Sequence, residues 1–357
     1  MSITQIEQEI RNDIAKFNQK KDDVDAKDAT ESTSSEKDKK TTSEKLMQII
    51  DAIHFFKDSA GTAWARIEGL CYPVKSSSFK MLVQRQYYQK HGKTPYNQAL
   101  QDVTDQARAI ALFDGKTEDV YVRVANVDGK ILVDRINGII NITSKSWTDE
   151  VPKDVNFWRP GGLNSLPVPE AGGNIDMLRE FLNFETDADF MLLVSWLLAA
   201  YNTDISCPIL VLQGEQGSAK STTAKVLRSL IDPSGAMVNA APRNERDLVI
   251  QSKRCRVLCF DNLSGLKKWL SDAFCRVCTG TGFVTRKLNT DDEQQIFSIK
   301  RPIILNGIDD IATRGDLLDR SIVLNLPSID PTDRKDERVF WDEFKNTKPY
   351  ILGALYD

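Results

Sequence analysis

The sequence predicts an α/β protein: a parallel sheet flanked by helices over residues 175–357, a smaller mixed α+β unit over 46–174, and a low-complexity tail over 1–45. Three observations carry that prediction. From Ile175 onward the apolar runs PILVLQ, RVLCF and RPIILN alternate with helical patterns, the sequence form of a parallel sheet with helices on its faces. In VYVRVANVDGKILVDR, alternating apolar residues flank Asp128-Gly129, a hairpin signal that puts antiparallel strands in the upstream unit. The first 45 residues mix charges of both signs with Phe17 as their one aromatic, too little apolar surface to offset ordering.

Composition bounds the rest. A chain of 357 residues, 41% apolar, has material for two or three domains with real cores. A net charge of −4, from 47 basic and 51 acidic residues, confines any nucleic-acid site to a local patch. Six scattered cysteines with no apolar leader after Met1 predict a reduced, cytoplasmic protein. Phe190 to Tyr201 is the longest apolar run; it is well short of the roughly 20 residues a membrane span needs and reads as a buried helix.

Taken in order, the tail carries Ile3, Ile6, Ile10, Ile14 and Phe17 at steps of three or four. That stripe is either a helix that docks on a partner protein or a frayed helix on a disordered tail. In the first unit, SSSFKMLVQRQYYQKHG reads as a helix stopped by Gly92, and RPGGLNSLPVPEAGG punctuates like a linker. No acid lies between Glu68 and Asp102, whereas Lys75, Lys80, Arg85, Lys90 and Lys93 interleave with Tyr72, Phe79, Tyr87, Tyr88 and Tyr96. Such a patch suits phosphate neutralisation with base stacking and makes Lys80, Arg85 and Lys90 DNA-binding candidates. The competing reading puts the aromatics in a core and the lysines on a solvated face. Next, DMLREFLNF and ADFMLLVSWLLAAY read as helices.

After PILVLQ comes GEQGSAKS, then the helical TTAKVLRSLI. Backbone N–H groups wrapped at a helix N-terminus, a lysine for outer phosphates and a hydroxyl for magnesium are what triphosphate binding requires. Gly214, Gly217, Lys220 and Ser221 meet those needs, and the loop Gly214, Glu215, Gln216, Gly217, Ser218, Ala219, Lys220, Ser221 and Thr222 is the candidate ATP cradle. Ala219 stands where the pattern has glycine, a methyl that is tolerated if the residue has helical φ/ψ. Asp261 closes the strand RVLCFDN and can hold Mg²⁺ with Ser221; Asn306 closes RPIILN and can orient water if the strands are neighbours.

With these motifs in order, the chain resembles the superfamily 3 helicases, in particular the poxvirus-type primase-helicase ATPases of phages and integrated elements. The likeness rests on GEQGSAKS, FDNLSGL, FCRVCTGTGFVTRKLNTDDEQQIFSIKRPIILNGIDD and TRGDLLDRSIVL, and covers the chain from about residue 175. It implies a P-loop AAA+ ATPase, usually a hexameric ring, working as an ATP-driven DNA helicase or translocase on single-stranded or forked DNA. Carried over by position, Lys220 contacts the β/γ phosphates, Ser221 and Asp261 hold magnesium, and Asn306 is the sensor. Arg320 acts in trans, with Arg314 in reserve; the alternative is a surface salt bridge of Arg320 with Asp316 or Asp319. The pore hairpin of the family falls on GFVTRKLNTDDEQQIFSIK and makes Arg286 and Lys287 DNA candidates, unless that hairpin serves only subunit packing.

Two departures shape the expectation. Asn262 replaces a second acid, so hydrolysis is slow or draws on another acid such as Glu215, which keeps alive a non-motor assembly switch. The chain stops within the helical PYILGALYD while relatives continue, an expectation of C-terminal truncation. Cys275 and Cys278 form a lone CxxC on a helix and, with two histidines in the chain, point to no zinc site.

Overall fold

The computed structural model describes residues 41–149, 155–286, 294–297, 299–307 and 311–357. The isoleucine stripe, the turn at 289–293 and Lys287 lie outside them.

The first unit opens with α1 (Thr42–Ile50), started by a capping box between Thr41 and Glu44. A three-stranded meander follows: β1 (His54–Lys57), β2 (Ala63–Ile67) and β3 (Leu70–Pro73). Helix α2 (Ser77–His91) is capped by the Ser76 hydroxyl and ends where Gly92 turns left-handed at φ 67°; α3 (Asn97–Ala109) packs beside it. Phe79, Val83 and Tyr87 are buried with Leu46, Ile50 and Val103, while Tyr88 and Tyr96 stand in solvent. The aromatics of the basic stretch are therefore divided between core and surface.

A second meander contains β4 (Val124–Val127), β5 (Lys130–Asp134), β6 (Ile139–Ile142) and β7 (Trp147–Asp149). Asp128 at φ 51° and Gly129 at φ 73° form its first turn, both in the left-handed region that matches strand twist. Strand β8 (Phe157–Trp158) returns parallel to β3.

From Ile175 the chain makes a 3₁₀ helix to Phe181, shorter and tighter than the regular helix expected there, and then α4 (Asp187–Tyr201) with a Thr186–Asp189 capping box. Helix α4 is not fully buried as the apolar run implied. Phe190, Leu193, Trp196 and Leu197 face the core, whereas Met191, Leu192 and Leu198 are 59%, 41% and 49% exposed. An apolar run without a polar face gives no sign of which side is left uncovered.

The remaining elements are β9 (Ile209–Gln213), α5 (Lys220–Ile231), α6 (Glu245–Arg254), β10 (Leu258–Leu263), α7 (Lys268–Thr279), β11 (Phe283–Arg286), β12 (Gln294–Phe297), β13 (Ile303–Gly307), α8 (Gly315–Leu318), β14 (Ser321–Asn325) and α9 (Glu337–Tyr356). Strands β10, β13, β9 and β14 lie side by side in that order, all parallel. Every residue of β9 and β13 is buried, which is why both read as unbroken apolar runs. Strands β11 and β12 form a separate antiparallel hairpin pairing Arg286 with Gln294.

The core crosses the boundary expected at 174/175. Val124, Val133 and Ile140 of the second meander share one cluster with Leu210, Leu230 and Tyr356. The proline- and glycine-rich segment is part of this packing, not a free linker: Leu166 is buried, and the Asn164 N–H donates to the Pro233 carbonyl at 2.9 Å. Arg123, wholly buried, donates to Asp232 Oδ1 (3.2 Å) and to the carbonyls of Asp134 (2.8 Å), Asn164 (2.7 Å) and Pro233 (3.2 Å). Asp232 also accepts from the N–H groups of Arg256 (2.7 Å) and Val257 (3.2 Å), so both charges are satisfied without water.

Candidate functional site

Three parallel strands end at one edge of the sheet and bring three of the expected side chains together, Ser221, Asp261 and Asn306, with the backbone N–H of Asn262. The loop Gly214–Ala219 links β9 to α5, whose second residue is Ser221. The Ser221 hydroxyl donates to Asp261 Oδ1 at 3.0 Å, and Asn306 Nδ2 donates to Ser221 Oγ at 3.3 Å. Asp261 and Asn262 sit at a bulge in β10, where the pairing with β13 shifts between Phe260 and Leu263. The bulge puts Asn262 at φ 56°, with its N–H toward Asp261 Oδ1 (2.7 Å) and Asn306 Oδ1 (3.2 Å).

Lys220 folds back over the loop. Its ammonium donates to the carbonyls of Gly214 and Glu215, both at 2.7 Å, and to Ser218 Oγ at 3.3 Å. Burial pushes the Lys220 ammonium below the ordinary lysine value, opposed by the Asp261 carboxylate. Gly214 and Gly217 have φ of 141° and 88°; a Cβ at Gly214 would meet the Leu326 carbonyl oxygen at 2.5 Å, and one at Gly217 would meet Arg334 Nη2 at 2.5 Å.

Ala219 departs from its expected geometry. It caps α5 at φ 56°, ψ 25°, left-handed instead of right-handed, a conformation that costs an L-residue about 1–2 kcal/mol. The surroundings hold it there: its carbonyl accepts from Thr223 N–H at 2.9 Å and starts the helix ladder. Glu215 and Gln216 are exposed, and Glu215 Oε2 accepts from Ser328 Oγ at 3.3 Å. Thr222 lines a cavity of 500 Å³ together with Phe181, Gly217, Ile329, Arg334 and Trp341.

Arg320 lies elsewhere. It immediately precedes β14, whose first residue Ser321 pairs with Ile209, while the loop leaves the far end of β9 after Gln213. Four strand residues, roughly 13 Å, separate the two ends, so Arg320 is at the opposite edge from the loop of its own chain. It is exposed and donates to the Asp316 carbonyl at 2.7 Å, with no ion pair to Asp316 or Asp319. Arg314 is tied to Asp272 (3.0 Å) and Asp316 (3.3 Å).

Of the DNA candidates, Arg286 ends β11 at its pairing with Gln294. Lys80, Arg85 and Lys90 all stand on α2, but steps of five turn about 140° each, so they point to different sides instead of forming one face. Lys80 donates to Gln101 Oε1 at 2.7 Å.

Sequence reasoning missed two residues beside the loop. Asn183 Nδ2 donates to the Ser218 (2.9 Å) and Pro327 (2.7 Å) carbonyls, clamping the loop to the segment after β14. Arg334 lies over Gly217 from a segment more than a hundred residues away. The position of Arg334 three residues before α9 was visible; its partner was not. Among the described residues no group of three or more His, Cys, Asp or Glu could hold a metal ion, and burial lifts the Cys278 thiol to about 11. No described helix is long and apolar enough to cross a membrane.

The chain is thus an α/β protein in which a hydroxyl at the start of α5 meets a carboxylate and a carboxamide from neighbouring parallel strands. Residues 175–357, just over half of the chain, match the family model of the actinomycete integrative conjugative element replication protein, and the chain belongs to that family. Among solved structures it is similar to the A-form apo structure of the NrS-1 C-terminal region, with TM-score 0.50 and 13% identity over 87% of this chain and 68% of that one. Another apo structure of the NrS-1 C-terminal region gives TM-score 0.47 and 13% identity over 89% and 70% of the two chains. No curated protein matches.

Proposed function

We propose that this replication protein is an ATP hydrolase of the P-loop AAA+ kind that drives a helicase or translocase on DNA. The observation that carries the reading is the Ser221–Asp261–Asn306 cluster beneath a glycine loop bolted by Lys220. In it the loop N–H groups and the start of α5 receive phosphate oxygens. Lys220 trades its carbonyl acceptors for the outer phosphates, and Asn306 orients the attacking water. The cavity beside Thr222, walled by Phe181 and Trp341, takes the base and sugar. Arg320, unable to reach the loop of its own chain, serves the nucleotide of a neighbouring copy in a ring, and the exposed Met191, Leu192 and Leu198 supply apolar surface for such an assembly.

The donor set fits Mg²⁺: a hydroxyl and one carboxylate 3.0 Å apart offer hard oxygens, and substrate phosphates and water complete the shell of such a cation. When bound, Mg²⁺ neutralises charge on the outer phosphates. Asn262 favours a second reading. It cannot take a proton, so a nucleotide-dependent assembly switch that turns over slowly remains the competitor.

ATP turnover by the purified chain, with Mg²⁺ and with or without single-stranded DNA, tests the choice. A motor gives turnover that DNA stimulates; turnover indifferent to DNA supports the switch, and an absence of nucleotide binding removes both.

A further inference from the structure

A second cavity, of 600 Å³, lies between α5 and α9. Its walls are Lys225 and Ser229 on α5, the segment Gly235–Val238, and Trp341, Phe344, Lys345 and Lys348 on α9. The α9 residues recur at i, i+3, i+4 and i+7 and so share one face. Every ionisable residue lining the groove is a lysine, and none of the three is within ion-pair distance of a described carboxylate. Two acceptors that would repel an anion are already taken: the carbonyls of Ala236 (2.8 Å) and Met237 (2.7 Å) accept from Arg228 Nη1. Lys345 is exposed and Lys348 half-buried, so the charge runs from the surface inward along an apolar wall of Trp341 and Met237.

We propose that this groove binds single-stranded DNA, with the phosphodiester backbone on Lys225, Lys345 and Lys348 and an unpaired base against the Trp341 wall. Uncompensated charge agrees with that role. Burial first and the Arg123 guanidinium second press the Lys348 ammonium down to about 8, and a phosphate beside it would favour the charged form. The proposal rests on reading the chain as a DNA-acting ATPase, and gives that reading a route of coupling. Trp341 lines both this groove and the cavity beside Thr222, and Lys225 is one helical turn from Ser221 on α5.

The test is anisotropy of labelled oligo-dT on the whole chain at several salt concentrations. It compares the native protein, the triple variant Lys225→Gln/Lys345→Gln/Lys348→Gln, and the charge-matched control Lys116→Gln/Lys130→Gln/Lys145→Gln at exposed positions. Three lost contacts should take about 2 off the salt slope, on the order of fiftyfold in affinity at 0.15 M, beyond the control. A triple variant that binds like the control overturns the proposal. Lysine acylation of the native protein guards against misfolding of the variant: oligo-dT should protect Lys345 and Lys348. Protection by inorganic tripolyphosphate and not by oligo-dT refutes the strand assignment in favour of a free phosphate. A chain that hydrolyses no ATP yet shows the slope change defeats the motor and leaves the groove. DNA-stimulated turnover with an unchanged slope does the reverse.

Discussion

Replacing Lys220 by Met keeps most of the stem and removes the ammonium, and its expected effect is a difference of two states. In the structure that ammonium already holds two loop carbonyls at 2.7 Å, so a nucleotide must exchange these bonds for bonds to phosphate. A hydrogen bond to a charged partner is worth about 1.5–3 kcal/mol, and the carbonyl bonds given up reduce the net gain to about 1–2 kcal/mol. Affinity for Mg-ATP should therefore fall about five- to thirtyfold. The depressed ammonium adds to the argument: its charge is poorly compensated by Asp261 alone, so anionic oxygens are better partners than carbonyls. Equilibrium titration with a fluorescent ATP analogue measures the loss, thermal melting shows that the variant is folded, and AMP, without outer phosphates, should bind both proteins alike. A folded variant that binds Mg-ATP within twofold of the native chain would refute the phosphate role.

Four further outcomes follow from particular contacts. Arg320→Ala should bind ATP normally and lose turnover by orders of magnitude, with partial recovery in mixed oligomers with the Lys220 variant; oligomers that form without recovery exclude a trans role. Asn262→Asp preserves a residue type that accepts left-handed φ and adds a proton acceptor, so basal turnover should rise on the order of a hundredfold where a missing base is limiting; unchanged turnover places the limit elsewhere. Arg123→Met should cost about 3–5 kcal/mol in urea unfolding, because it strands the buried Asp232 carboxylate; a loss below about 1 kcal/mol would mean the pair is dispensable. The depressed value of Lys348 means that the unfolded chain binds more protons at that site between about 8 and the ordinary 10.5, so its own contribution to stability should climb with pH across that window, read as the difference between the native chain and Lys348→Met. Lys253, also pressed down to about 8, and the thiols raised by burial act alike in both proteins, and a difference that does not change with pH refutes the assignment.

The order of strand, loop and helix around GEQGSAKS was legible because buried parallel strands are continuous apolar runs and glycines mark the turn between them. Asp261 and Asn306 were legible as strand-ending polar residues, though only the sheet order makes β10 and β13 neighbours. What stayed hidden depends on distant partners. Arg123 is one of many arginines until its contact with Asp232, 109 positions away, is seen. Asn183 and Arg334 reach the loop from before and after the sheet. Ala219 misled because the helix ladder starts at its carbonyl while its own backbone remains left-handed. The basic stretch was legible in composition, through its missing acids and interleaved aromatics, whereas the scatter of Lys80, Arg85 and Lys90 around α2 follows only from the turn of the helix.

The same backbone feature that explains Asn262 also links the cluster into a chain of donors. At φ 56° asparagine is among the few non-glycine residues that sit comfortably, so position 262 answers to the bulge as well as to chemistry. Its N–H occupies Asn306 Oδ1, which turns Asn306 Nδ2 toward Ser221, whose proton goes in turn to Asp261. The direction of this chain has a consequence. The Ser221 oxygen has a second lone pair, so it could face a cation while still accepting from Asn306, and the second N–H of the carboxamide would be left for a water beside the phosphates. Ser221 would then stand between a cation and the carboxamide that would orient the water. A motor and a switch would share this step, and would differ in whether a proton acceptor then stands within reach of that water: Asn262 cannot be one, and Glu215, exposed and held by Ser328, is the nearest acid on the loop.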